Sequence, residues 1–221
     1  MASVNPPDPS PGTPKLTRRE KAADTRARMV GAALEVFAEE GYVGARMADI
    51  AKRAGVAVQT LYFTFHTKPE LLQACYDAAV LGPDAVPPPL QPFYAQALGA
   101  RTGRAALAAF AEGNGAIVAR VASIDEVARA AQHEPEAVAV RAHSERLRRD
   151  GYRVIAASVA ERFGLRPGLS VDRATDVMLL LGSGAPYLTL TGYGWTHEEY
   201  VAWVADALAL QLLAKPGRRS G

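Results

Sequence analysis

Gln59, Thr60 and Tyr62 stand close together in the chain, flanked by the apolar side chains of Val58 and Phe63. The chemistry open to this group is recognition of a nucleic acid, with no bond made or broken. The Gln59 amide could pair with an adenine edge in a major groove, and Val58 and Phe63 could meet a thymine methyl. The hydroxyls of Thr60 and Tyr62 can reach phosphate oxygens. Lys68 falls in the first turn of an expected helix, where its charge and the free backbone N–H groups both favour an anion. Arg46, further back in the chain, could add a charged phosphate contact. The alternative for each polar member is a face turned to water.

Other chemistries find little support. The chain has no Gly-x-Ser-x-Gly elbow, no P-loop and no dinucleotide fingerprint. Gly182-Ser183-Gly184 is a superficial echo, and Pro186 beyond it points to a helix break. His133 and His143 lie ten residues apart, with Glu134 and Glu136 beside the first. Neither spacing puts two ligands on one helical face. No metal, cofactor or catalytic activity is expected. Cys75 is the one cysteine. It cannot form an internal disulfide, and its place on the apolar side of a helix reads as packing. A single thiol fits a reducing cytoplasm.

The chain has 221 residues, 49% of them apolar. That is enough to bury a core in one large domain or two modest ones. Gly, Pro and charged residues interrupt every apolar run short of the roughly 18 residues that span a bilayer, so no membrane partner is expected. The opening MASVNPPDPSPGTP has no basic start and no apolar stretch. It reads as a flexible solvated tail, not as a secretory signal. A net charge of +2 is too small to announce a polyanionic partner. DNA binding would depend on where the charge sits.

The elements that must position these residues are helices. Ala, Leu, Arg and Glu recur at helical spacing and β-branched runs are short, which predicts an all-α protein. A first helix core covers 25–40, with Met29, Val30, Ala33, Val36 and Phe37 on one stripe and Gly41 at its end. Thr17-Arg18-Arg19-Glu20 is a capping-box pattern that could carry its start back into the basic stretch. A second helix fits 46–53, with Gly55 following, and a third fits 58–65. A fourth starts after Thr67, where Thr67-Lys68-Pro69-Glu70 is another capping box. Gly82-Pro83 and Pro87-Pro88-Pro89 then break the pattern. Further helices are expected over 92–99, 103–122, 124–132, 135–163, 171–181 and 197–214. The division is a tail at 1–16, a helix-turn-helix domain at 17–82 with its motif at about 45–65, a helical domain at 83–214, and a frayed tail at 215–221.

Two short helices joined at Ala54-Gly55-Val56-Ala57 make a helix-turn-helix. The first would cross the phosphate backbone and the second would lie in the major groove. The string GYVGARMADIAKRAGVAVQTLYFTFHTKPELL, residues 41–72, resembles the DNA-binding domain of the tetracycline-repressor (TetR) family. Phe37, Gly41-Tyr42, the run Asp49 to Val56, Thr60-Leu61-Tyr62, Phe65, Lys68, Glu70 and Leu71 carry the resemblance, over about 25–72. It implies phosphate contacts by Tyr62 and Lys68 in particular. Two departures stand out. Members usually carry Thr or Ser before the second helix and Ser at the start of the third, where this chain has Ala45, Arg46 and Ala57. A missing cap costs about 1 kcal/mol. Arg46 could restore the phosphate contact through its charge. Lys15, Arg18, Arg19 and Lys21 would either follow the DNA backbone or a minor groove, or solubilise a tail.

The resemblance implies a second region that dimerises and holds a small ligand. Val177, Leu180 and Leu181, with Tyr200, Trp203, Val204, Leu208 and Gln211, could form a two-by-two helix interface, led by Val177, Leu181, Trp203 and Leu208. The same residues would serve as an internal core. An apolar pocket with polar anchors would draw on Phe110, Asn114, Val118, Val121, Tyr152, Tyr187 and Tyr193. Gly113 and Gly115 flank Asn114 and cost helix stability, either for close packing or for ligand room. The expectation is an all-α protein with an N-terminal helix-turn-helix three-helix domain and a larger helical ligand-binding and dimerisation bundle. As a cytoplasmic homodimer it would read a palindromic operator in double-stranded DNA and be released by a small apolar effector. The rivals are a regulator switched by a protein partner, and a helical ligand carrier or enzyme without DNA binding.

Overall fold

The computed structural model describes residues 17–214. The expected tails at 1–16 and 215–221, and Lys15 with them, lie outside those residues. Among the described residues the chain forms ten α-helices, one 3-10 turn at Pro88–Leu90, and no strand beyond an isolated bridge between Leu165 and Leu213.

Helix α1 (Arg18–Gly44) begins at a complete capping box. The Thr17 hydroxyl accepts from the Glu20 N–H at 3.2 Å, and the Glu20 carboxylate accepts from the Thr17 N–H at 2.7 Å. Gly41 adopts φ +68 and kinks the helix, so residues 42–44 form a further turn past the break. Helices α2 (Met47–Ala54), α3 (Val58–Thr64) and α4 (Lys68–Leu81) follow. At α4 only half of the expected box forms. Thr67 accepts from the Glu70 N–H at 3.3 Å, but the Glu70 carboxylate turns to the His66 N–H at 3.2 Å.

Helices α5 (Pro92–Gly99), α6 (Gly103–Ala130), α7 (Pro135–Phe163), α8 (Val171–Leu181), α9 (Gly184–Gly192) and α10 (His197–Leu212) make the second region. Two features differ from the expectation. Segments 103–122 and 124–132 are one helix, because Ser123 faces water and neither Gly nor Pro interrupts the turn there. Helix α9 was not expected, since Pro186 read as a break. Pro186 instead sits in the first turn of α9, where no N–H is needed. Helix α6 is also, by length and composition alone, apolar enough to cross a membrane, which the sequence pattern had counted against. Its neighbours account for this. Helices α1, α4, α5, α7, α9 and α10 all pack on it, and many of its exposed positions are alanine.

Two hydrophobic cores result. The first joins Met29, Phe37, Ile50, Leu61, Leu71 and Leu72 of α1–α4 to Ile124, Ala128 and Ala137 of α6 and α7. It therefore takes in residues from well beyond position 83. The second joins Leu107, Phe110, Ile155, Met178, Tyr200 and Leu208. Helix α4 is tied to the second region by two polar bonds. Tyr76 donates to Asp125 at 3.0 Å, and Arg120 donates to the Ala79 carbonyl at 2.8 Å. Cys75 is buried on α4 against α1, and burial pushes its thiol up to about 12, as suits a packing residue.

Candidate nucleic-acid interface

Helices α2 and α3 turn at Gly55, whose φ of +68 and ψ of 36 would strain any residue with a Cβ. Buried Ile50, Ala51, Ala54, Leu61 and Phe65 set the angle between the two helices against α1. Three arginines then splint the motif. Arg28 of α1 donates to the Ala54 carbonyl at 2.8 Å. Arg53 of α2 forks onto both oxygens of Glu39, each at 2.7 Å. Arg26 lays its guanidinium 4.4 Å over the Phe65 ring.

This frame presents one row of side chains to solvent. Gln59, Thr60, Tyr62 and Phe63 are exposed, with 85% of Phe63 in water. Val58 is half-buried against the first core. Arg46 is exposed at the head of α2, and neither Arg46 nor Ala57 makes a side-chain cap bond. Arg18, Arg19 and Lys21 are exposed on the first turn of α1, so they extend a helix.

Lys68 is placed differently. Its ammonium donates to the carbonyls of Tyr42 at 2.8 Å, Ala45 at 3.2 Å and Val43 at 3.5 Å. It also lies 4.5 Å over the Tyr42 ring. Sequence pattern could not have found this arrangement, because its partners lie on the far side of the motif. The signal it did carry was the Gly41 break, which leaves carbonyls needing donors.

In the second region Phe110, Asn114 and Tyr152 come together. Phe110 meets Tyr152 edge-on at 4.7 Å. The Tyr152 hydroxyl donates to the Asn114 amide oxygen, and the Asn114 nitrogen donates to the Gly182 carbonyl at 3.1 Å. Tyr200 donates to the Leu181 carbonyl at 2.9 Å. These groups satisfy carbonyls left free where α8 stops and α9 starts. The other pocket candidates scatter. Val118 is buried, Val121 packs on the first core, Tyr187 meets Tyr200 edge-on at 5.0 Å, and Tyr193 is 78% exposed. Two grooves open to solvent, of about 300 Å³ between α1 and α6 and about 550 Å³ along α7, are lined by other residues. Gly113 and Gly115 serve close packing: a Cβ would stand 1.9 Å from Phe93 and 2.5 Å from Val201 respectively.

Of the dimer candidates, Val177, Leu181 and Trp203 are half-buried against the second core. Leu208, Tyr200 and Val204 are buried inside the subunit and cannot reach a partner without unfolding it. On the same helices Leu180 and Leu210 are exposed. Leu210 was not singled out from the sequence. Its one signal is that Leu208 and Leu212 already take the inward positions.

Fold and motif together define a two-part, all-α helix-turn-helix protein. The family described as "Bacterial regulatory proteins, tetR family" matches residues 30–75. That match covers the helix-turn-helix region, and over it the chain is similar to the TetR family. It is 41% identical over 63 residues to the HTH-type transcriptional regulator CymR of Pseudomonas putida, covering 28% of this chain and 31% of that protein. It is 40% identical over 60 residues to the HTH-type transcriptional regulator TtgR, also of Pseudomonas putida, covering 27% and 29%. The aligned stretch thus spans under a third of these curated relatives. Among solved structures the chain resembles FadR from Bacillus subtilis, a transcriptional regulator in complex with stearoyl-CoA. That likeness has a TM-score of 0.67 at 19% identity, over 82% of this chain and 96% of that one. It also resembles NalD from Pseudomonas aeruginosa, the secondary repressor of the MexAB-OprM multidrug efflux pump. There the TM-score is 0.63 at 16% identity, over 87% and 98%. These two likenesses extend the shared fold over the second region.

Proposed function

We propose that this protein is a DNA-binding transcriptional regulator that reads a palindromic operator as a homodimer. One observation carries the reading. A recognition helix, splinted from behind by Arg28, Arg53 and Arg26, turns Gln59, Thr60, Tyr62 and Phe63 outward together. Arg46 and Tyr62 grip phosphate, while Gln59, Val58 and Phe63 meet base edges. Exposed Leu180 and Leu210, with Val177, Leu181 and Trp203 beside them, form the dimer face on α8 and α10. Two such recognition helices about one DNA turn apart read the two half-sites. The protein represses in the cytoplasm and leaves its operator when a small apolar effector enters the second region. The stearoyl-CoA complex of the similar Bacillus subtilis regulator supports an acyl-type effector. The effector acts only through its difference in affinity for the bound and released conformers.

Footprinting on DNA flanking the protein's own gene tests this, with random duplex as control and long-chain acyl-CoA as the probe effector. A salt-dependent, symmetric footprint lost on adding acyl-CoA is expected. Equal affinity for random duplex would overturn the regulator reading. A footprint indifferent to acyl-CoA and other apolar ligands would favour a protein-partner switch. That second reading draws on the mutual bonding of Asn114 and Tyr152, which leaves neither free in this structure.

A further inference from the structure

We propose that Lys68 is a positioning residue that locks the junction between α1 and α2, and that it serves DNA binding through that lock, not as a phosphate ligand. The proposal rests on the DNA-binding reading above. The kink at Gly41 leaves the chain between α1 and α2 with carbonyls that no helical N–H can reach. Three of them, from Tyr42, Val43 and Ala45, converge on the Lys68 ammonium at 2.8, 3.5 and 3.2 Å. An ammonium has three N–H donors, so all three are engaged. The positive charge also suits the negative end of α1. Below the ammonium lies the Tyr42 ring, which itself stacks on Phe37 at 5.9 Å.

Tyr42, Ala45 and Met47 pack into the first core, but among the described residues no other side chain hydrogen-bonds the carbonyls of Tyr42, Val43 and Ala45. Ala45 is the C-cap of α1 and Arg46 the N-cap of α2, and Arg46 makes no side-chain cap bond. The backbone angles of these two residues set the direction in which α2 leaves, and α3 follows through Gly55. Lys68 therefore aims the recognition helix from behind. To bind a phosphate, its ammonium would have to desert a half-buried carbonyl, which is costly when the carbonyl is left unpaired.

Full-length Lys68→Met and Lys68→Arg test this on the operator duplex recovered by footprinting. The Met variant is expected to bind about tenfold more weakly or worse, the equivalent of one lost charge-assisted bond. The slope of log affinity against log salt stays as in the wild type, and amides from Ala45 to Ile50 exchange faster with solvent. A fall in slope of about 1.8, the loss of one neutralised phosphate from each subunit of the dimer, with amide exchange unchanged, would overturn the proposal. Should the Met variant fail to fold, the Arg variant decides. Its charge can still serve a phosphate, but its planar fork cannot aim three N–H groups at three converging carbonyls. Weakened binding at an unchanged slope supports the lock, and wild-type affinity overturns it. If the wild type binds no DNA, the regulator reading fails, while the exchange rates still report whether Lys68 holds the junction.

Discussion

The ring of Phe93, on α5, stands where a side chain on Gly113 of α6 would have to be: a Cβ there would lie 1.9 Å from the Phe93 Cγ. A glycine inside a helix costs about 1 kcal/mol against alanine. Here the close approach of two helices offsets that cost. Gly113→Ala is therefore expected to destabilise the protein by about 1–3 kcal/mol despite the better helix propensity. Gly31 of α1 has nothing within 4 Å of its would-be Cβ. Gly31→Ala should stabilise by about 0.5–1 kcal/mol. Urea unfolding of both variants checks the contrast, and a stabilised Gly113→Ala would contradict the packing argument.

Stability should fall in alkali. Burial raises the Tyr42 hydroxyl from its ordinary 10.0 to about 12 and the Cys75 thiol from 9.0 to about 12. Tyr76, Tyr152 and Tyr200 are pushed in the same direction, chiefly by burial. Each group is neutral when folded and ionises first in the unfolded chain. Their contribution is complete below pH 9 and is lost progressively as pH rises towards 12. The urea midpoint measured across that range should decline. Replacing Cys75 by Ala should blunt the earliest part of the decline.

Helix α3 lacks a side-chain cap at Ala57, whose φ of −66 and ψ of 145 already match an N-cap. Ala57→Ser should supply the missing acceptor and raise stability by about 0.5–1 kcal/mol. A thermal melt would show it as a higher midpoint, and an unchanged midpoint would mean the hydroxyl finds water instead.

Phe63 contributes almost nothing to the core, since 85% of it is exposed. Phe63→Ala should change stability by less than about 0.5 kcal/mol. It should nonetheless weaken operator binding while leaving random-duplex binding alone, because the role proposed for the ring is contact with bases and not with phosphates. Equal losses on both duplexes would argue for a general role in docking.

The parts of this molecule set by near neighbours are legible in the order of its residues. The capping box of Thr17 and Glu20, the Thr67 cap, the kink at Gly41 and the turn at Gly55 form among residues only a few positions apart. Their order in the chain therefore announces them, and with them the helix-turn-helix and its outward row. Asn114 was conspicuous too, as an amide between two glycines, but its partner is a carbonyl 68 residues further along. Lys68 reads in the sequence as a phosphate ligand, and only the structure shows the three carbonyls, 23 to 26 residues earlier, to which its ammonium donates. The inward turn of Leu208 and outward turn of Leu210 likewise belong to the tertiary structure alone. The physical reason is common to all three. Caps and turns are decided by local backbone geometry, whereas the partner of a distant side chain is decided by how helices cross. That crossing is the sum of many weak packing terms, and no short stretch of sequence contains it.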